Sequence, residues 1–169
     1  MSTKKDKFSF KDRKYMKLAI NLARARRGLT GDNPSVGCLI VKNDEIVSIG
    51  QTGFNGRPHA ETNAIKNSFQ NLSGSKMYVT LEPCNHYGKT PPCTKSIIKC
   101  GISEVFYSIN DIDKKVKGKS FNILKKRLNS KFVIYFHNDP LSLRGSITIL
   151  QRENILEKSS AIIFVSEWT

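Results

Sequence analysis

Met77-Tyr78-Val79-Thr80-Leu81-Glu82-Pro83-Cys84-Asn85-His86-Tyr87-Gly88-Lys89-Thr90-Pro91-Pro92-Cys93 is the stretch in which the chain passes from strand to loop to helix. Met77 to Leu81 is apolar and β-favouring, which suits a strand in a buried position. Glu82 to Thr90 carries glycine and proline and reads as a loop. Pro91-Pro92 stands where proline is tolerated, at or before a first helical turn, and the short helix that follows runs to Cys100 and stops at Gly101. Glu104 to Ile109 then supplies another apolar strand.

Working outward, Tyr15, Leu18, Ala19, Leu22 and Ala25 share one face of a helix that Asp12 would cap and Gly28 would end. Val36 to Val41 and Glu45 to Ile49 flank the turn signal Asn43-Asp44 and predict a β-hairpin. Gly50 to Pro58 reads as a glycine-rich loop, and a helix is expected from about His59 to Asn71. Downstream, Ser120 to Leu128 predicts a lysine-bearing helix and Phe132 to Phe136 a further strand. Helices alternating with apolar strands after an opening hairpin indicate an α/β layered domain on a mixed sheet. No internal repeat and no low-complexity linker interrupts it.

A chain of 169 residues is one domain's worth of sequence. Its 38% hydrophobic and 25% charged shares are those of a globular protein, not a disordered one. No apolar run approaches the roughly 18 residues of a membrane-spanning helix, and the lysine-rich segment Met1 to Lys17 lacks the apolar centre of a secretory signal. A cytoplasmic location is therefore expected. The net charge of +14 would suit nucleic acid, a membrane surface or a phosphorylated small molecule. The lysines are scattered without the aromatic interleaving of a single-strand binding platform, so a solvated surface is the simpler reading. Four cysteines without an export signal raise metal binding or catalysis above a disulfide framework.

His59-Ala60-Glu61 and the pair Cys84 and Cys93 carry the chemistry. Taken singly, a His-x-Glu triplet occurs by chance and two cysteines can be small buried hydrophobes. Together they offer one imidazole and two thiolates, three protein ligands with a fourth tetrahedral position left for water, which is the pattern of a catalytic zinc site. His59 falls at the start of one expected helix and Cys93 in the first turn of another, where a helix N-terminus favours the thiolate. Glu61, two residues past the histidine, stands where a general acid/base would stand beside the open position. Cys38 and Cys100 read as packing residues, His137 as structural or exposed, and Trp168 has no assignment.

H-x-E followed by P-C and a second cysteine is the signature of zinc deaminases, here with eight residues between the cysteines in place of two. Asn33-Pro34-Ser35-Val36-Gly37, Arg57-Pro58-His59-Ala60-Glu61 and Thr80 to Cys93 together closely resemble the deaminase domain of the bifunctional riboflavin-biosynthesis deaminase/reductase. The similarity runs from about Met16 to Leu128. It implies a three-layer α/β/α cytidine-deaminase-like fold, bound Zn2+ and hydrolytic removal of an amino group from a ribosylamino diaminopyrimidinone 5′-phosphate.

The resemblance also maps His86, Lys89 and Thr90, between the cysteines, to substrate-binding positions, with Asn33 on the pyrimidine side and Asp111 and Asp113 near the ribose phosphate. Read alone, Asn33 is a turn residue before Pro34, Lys89 a solvated charge, and the two aspartates loop carboxylates after a strand. Thr52 stands where many members of the family have a histidine. The resemblance places the deaminase domain in residues 1–136. Nothing in the chain reads as the family's reductase domain, so a separate reductase is the expected partner, and residues 137–169 are left as a divergent tail, an added strand pair or a displaced reading frame. Homo-oligomers are common among related folds and are expected by analogy. Two rivals remain: a tRNA-adenosine deaminase, disfavoured by the long cysteine spacer, and a non-catalytic zinc-stabilised binding protein, disfavoured by Glu61. A nucleic-acid partner is accordingly not expected.

Overall fold

Ser9 and Asp12 start the first helix between them. The Asp12 amide donates to Ser9 Oγ at 3.1 Å while the Ser9 amide donates to Asp12 Oδ2 at 2.9 Å, a reciprocal capping box. Asp12 is thus the third residue of the helix, not its N-cap as expected from the sequence: both residues are competent caps, and the box uses both. In the computed structural model, which describes residues 9–113, 116–127 and 133–134, this helix is α1, Phe10–Arg24. The strands β1, Gly37–Lys42, and β2, Glu45–Gln51, follow. They are joined by Asn43 and Asp44, both with positive φ (51° and 65°), the backbone that a tight two-residue hairpin turn requires.

Next come α2, Ala60–Lys66; β3, Lys76–Leu81; α3, Cys93–Lys99; β4, Glu104–Ile109; α4, Lys119–Arg127; and β5, Val133–Ile134. The sheet order is β2-β1-β3-β4-β5, with β1 antiparallel to β2 and β3, and β3, β4 and β5 parallel. The expected mixed sheet and its layers are present. Some elements differ in extent: α1 ends at Arg24, short of the expected stop at Gly28. The helix expected to reach Asn71 ends at Lys66: Asn67 is its C-cap, still donating its amide to the Asn63 carbonyl at 2.9 Å while its side chain donates to the Ile49 carbonyl at 3.1 Å. Gly50, read as loop, lies inside β2. The last strand is described only at Val133 and Ile134. The readings of residues 137–169, His137 and Trp168 lie outside the described residues.

Both faces of the sheet are covered, which is why its strands read as continuous apolar runs instead of alternating ones. Leu39, Val41, Tyr78 and Phe106 pack under α1 against Tyr15, Met16, Ala19 and Ile20. The intervening Cys38, Ile40, Met77, Val79, Val105 and Tyr107 face the other way, toward Ala60, Ala64, Ile97 and Leu124 of the remaining helices. Full burial of side chains such as Leu39, Ile40 and Met77 contributes roughly 1.5–3 kcal/mol each. Cys38 is a core residue and Cys100 packs beside the same core, as their sequence positions suggest.

The helix that begins beside His59 is seated on the sheet edge by close contact. A Cβ on Gly50 would meet the Ala60 carbonyl oxygen at 2.2 Å and the Ala64 nitrogen at 2.4 Å. Around that contact Ser48 Oγ donates to the Ala64 carbonyl (2.5 Å) and Asn63 Nδ2 to the Gln51 carbonyl (2.7 Å). Gly50→Ala is therefore expected to destabilise the protein by about 3 kcal/mol through overpacking, read as a lower urea midpoint with an unchanged slope.

Candidate active site

Four loops meet beyond the carboxyl end of β3, where ligands bind in open α/β sheets. Cys84 leaves β3 three residues after Leu81, His59 is the N-cap residue of α2, and Cys93 is the first residue of α3. Because β1 is antiparallel to β3, its entry also lies at this end, and the Gly37 amide donates to Thr80 Oγ1 at 3.2 Å. The fourth follows β4 beside it and is described at residues 110–113 and 116–118.

His59 Nδ1 lies 3.3 Å from Cys93 Sγ and 3.5 Å from Cys84 Sγ, and the three donor atoms all lie within 4.8 Å of one another. Zinc at tetrahedral angles, with bonds of about 2.0–2.1 Å to nitrogen and 2.3 Å to sulfur, needs N···S separations of roughly 3.5 Å, so the donor set fits zinc in kind and in spacing. As N-cap, His59 makes no side-chain capping bond; its Nδ1 meets the two sulfurs and its Nε2 the Arg57 guanidinium.

The helix N-terminus acts on a different sulfur from the one the sequence suggested. The Cys93 amide, in the first turn of α3, donates to Cys84 Sγ at 3.3 Å. The Cys93 thiol above all, then His59 and this amide, hold the Cys84 thiol well below its ordinary value against the effect of burial. Cys93 is pushed up by its bond to Cys84 and by burial. Thr62 Oγ1, one turn into α2, lies 3.8 Å from Cys93 Sγ.

Glu61 is 4% exposed, in the first turn of α2, and lines the same cleft as His59 and Cys84. Burial raises its carboxyl to about 7, with the nearby His59 opposing. A cation on the three ligands acts in the same opposing direction.

The cleft holds about 200 Å³. Asn33, His86, Thr90, Asp111 and Asp113 all stand on its wall, and His86 Nδ1 is buried with no hydrogen-bond partner among the described residues. Lys89 is exposed on the same loop and does not line the cleft. Asn33 Nδ2 approaches the Asn55 carbonyl at 3.4 Å, close against Gly56, where a Cβ would fall 2.0 Å from that nitrogen. Thr52 also lines the cleft, but its hydroxyl is engaged: it accepts from the Val36 amide at 2.9 Å and donates to the Pro34 carbonyl at 3.1 Å.

Two cleft residues escaped the reading of the sequence. Arg57 was visible only as part of the Arg57-Pro58-His59 motif. Glu82, read simply as the start of a loop, is 2% exposed and accepts three backbone amides, from Gly118 (2.9 Å), Asp111 (3.2 Å) and Ser120 (3.2 Å). Its position two residues before Cys84 was the available signal, but its partners lie 29 to 38 residues further on.

A three-layer α/β/α domain that gathers one imidazole and two sulfurs at the N-termini of two adjacent helices, with a buried carboxylate alongside, belongs to the class of zinc-dependent deaminase folds. Residues 9–109 match the zinc-binding region of cytidine and deoxycytidylate deaminases. The chain belongs to that family.

It is 47% identical, over 69% of its length and 80% of the relative's, to the diaminohydroxyphosphoribosylamino-pyrimidine deaminase of Buchnera aphidicola subsp. Schizaphis graminum. It is 35% identical to the riboflavin biosynthesis protein RibD of Aquifex aeolicus over 93% of its own length, and spans about half (47%) of that relative. Among solved structures, the Thermotoga maritima diaminohydroxyphosphoribosylaminopyrimidine deaminase/5-amino-6-(5-phosphoribosylamino)uracil reductase superposes with a TM-score of 0.66 at 37% identity, over 73% of this chain and 36% of that one. No helix among the described residues is long and apolar enough to cross a membrane.

Proposed function

We propose that the chain catalyses the hydrolytic deamination of 2,5-diamino-6-ribosylamino-4(3H)-pyrimidinone 5′-phosphate to 5-amino-6-(5-phosphoribosylamino)uracil, releasing ammonia. The observation that carries this reading is the cysteine loop. Residues 85–92 form a long spacer that puts His86 and Thr90 on the cleft wall, in a chain 47% identical to a relative named for this deamination.

His59, Cys84 and Cys93 hold the zinc, which when bound supplies the Lewis acidity that makes water nucleophilic near neutral pH. Every other task falls to side chains. Glu61 takes a proton from the attacking water and returns it to the ring nitrogen beside the amino-bearing carbon. Glu61 then takes the proton of the added hydroxyl and delivers it to the amino group, which leaves as ammonia while the oxygen remains on the ring as the carbonyl. Asn33 hydrogen-bonds the pyrimidine, His86 and Thr90 line its approach, and Asp111 and Asp113 face the ribosyl end. Lys89, outside the cleft wall, contributes long-range attraction for a phosphorylated ligand instead of a contact. The product keeps its ribosylamino phosphate, which makes it the species that a uracil reductase would receive next.

Incubation of the purified chain with the diaminopyrimidinone nucleotide is expected to release one ammonia per uracil product, with release abolished by a chelator and restored by zinc. Release of ammonia from cytidine or deoxycytidylate, but not from this nucleotide, would refute the assignment.

A further inference from the structure

We propose that Glu82 is a positioning residue for the ribosyl-phosphate end of the substrate, acting through the loop between β4 and α4; the inference rests on the function proposed above. The three amides it accepts come from both ends of that loop. Asp111 and Gly118 converge on Oε2, and Ser120, already in the first turn of α4, reaches Oε1. Asp111 is thus itself an anchor, and it stands on the cleft wall together with Asp113, which lies between the anchors.

The same junction is closed a second time. Ser120 Oγ donates to the Pro83 carbonyl at 2.6 Å, and Asn85 Nδ2 donates to both the Val116 carbonyl (3.2 Å) and Ser120 Oγ (3.1 Å). Residues 82 and 83 precede Cys84 and residue 85 follows it, so the segment that carries a candidate metal ligand also bonds the chain between β4 and α4.

Buried, and with both oxygens engaged by main-chain donors, Glu82 is not placed to carry protons; that separates it from Glu61 on the same cleft. A carboxylate is the side chain that can accept on two oxygens at once, whereas a carboxamide of the same shape turns an NH2 toward one of the three amides. The loop it holds faces the part of the ligand remote from the reacting carbon. Displacing it removes binding that ground state and transition state share, which raises KM and leaves kcat alone.

Glu82→Gln is expected to raise KM for the diaminopyrimidinone nucleotide about tenfold or more, the worth of a hydrogen bond to a charged group. It should keep kcat within about threefold and retain full zinc content. Amide exchange should accelerate at Asp111, Gly118 and Ser120 while α3 stays protected. Ser120→Ala, which leaves Glu82 in place and removes only the bond to Pro83 and its link to Asn85, should move KM in the same direction by a smaller factor; it serves as the test if Glu82→Gln does not fold.

An unchanged KM would overturn the proposal. So would a loss of zinc and kcat in step, which would make Glu82 a support of Cys84 instead. If the unaltered chain does not deaminate this nucleotide, the functional assignment fails separately. Exchange at the three amides then decides the positioning claim: rates unchanged in Glu82→Gln would end it.

Discussion

Glu61→Gln is expected to release ammonia about 10²–10⁴ times more slowly than the unaltered chain, the usual worth of a positioned general acid/base, while binding zinc fully. The substitution keeps the size and shape of a side chain that is 4% exposed, so the neighbouring helix has no reason to move. What changes is the ability to take a proton from water and give it back at two different nitrogens. The metal ligands are untouched, so zinc content separates this outcome from simple loss of the site. Stability should not fall and can rise, because an amide in this position no longer carries the burial penalty that raises the carboxyl. Equal turnover in the Gln variant, measured by ammonia release with zinc content confirmed, would remove Glu61 from the mechanism.

Cys93→Ser and Cys84→Ser are each expected to lose zinc and activity together, with turnover at the background level. Serine is a poor substitute for a thiolate at this metal, and with two ligands left the site no longer resembles a three-ligand catalytic centre. The fold should survive, since the two core clusters that hold the sheet are built from apolar side chains apart from the metal ligand atoms. Far-ultraviolet circular dichroism should therefore remain native while the melting temperature drops. Zinc present at about a thousand times its dissociation constant adds about 4 kcal/mol by mass action, and a chelator withdraws the same amount from the unaltered chain. The two cysteines should differ in one respect. Cys84 is the sulfur supported by the Cys93 amide at 3.3 Å, and replacing it leaves that helix-terminal donor facing a hydroxyl. If either serine variant kept full zinc and turnover, the three-ligand arrangement would be wrong.

The candidate chemistry was legible because it sits in two short motifs at recognisable spacing. His59, Glu61, Cys84 and Cys93 are read from residue type, spacing and the deaminase signature, and the structure brings the three candidate donor atoms of His59, Cys84 and Cys93 within 4.8 Å of one another. The strand Glu104–Ile109 has the bounds its composition predicts, because an apolar β-favouring run between a glycine turn and a polar loop admits few other conformations. The Asn43-Asp44 turn was legible for the same local reason: both residues tolerate positive φ.

Ambiguity began wherever two local solutions were equally good. Ser9 and Asp12 can each cap a helix, and only their mutual bonding shows that both take part. The end of α2 could not be placed from residues 59–71, since the side chain of its C-cap, Asn67, bonds a carbonyl on β2, eighteen residues earlier in the chain.

The sequence by itself thus determined the layered architecture, the family likeness and the candidates for metal ligand and proton carrier, all of which depend on periodicity or on residue types at fixed spacing. Only the tertiary structure decided that the α3 N-terminus serves Cys84, that Lys89 stays off the cleft wall, that Thr52 is occupied with Val36 and Pro34, and that Glu82 ties two loops together. Each of these is a hydrogen bond or an exposure set by chain segments that meet only after folding. A backbone amide looks the same at every position in a sequence, so nothing in the residues marks which distant carboxylate or sulfur it will find.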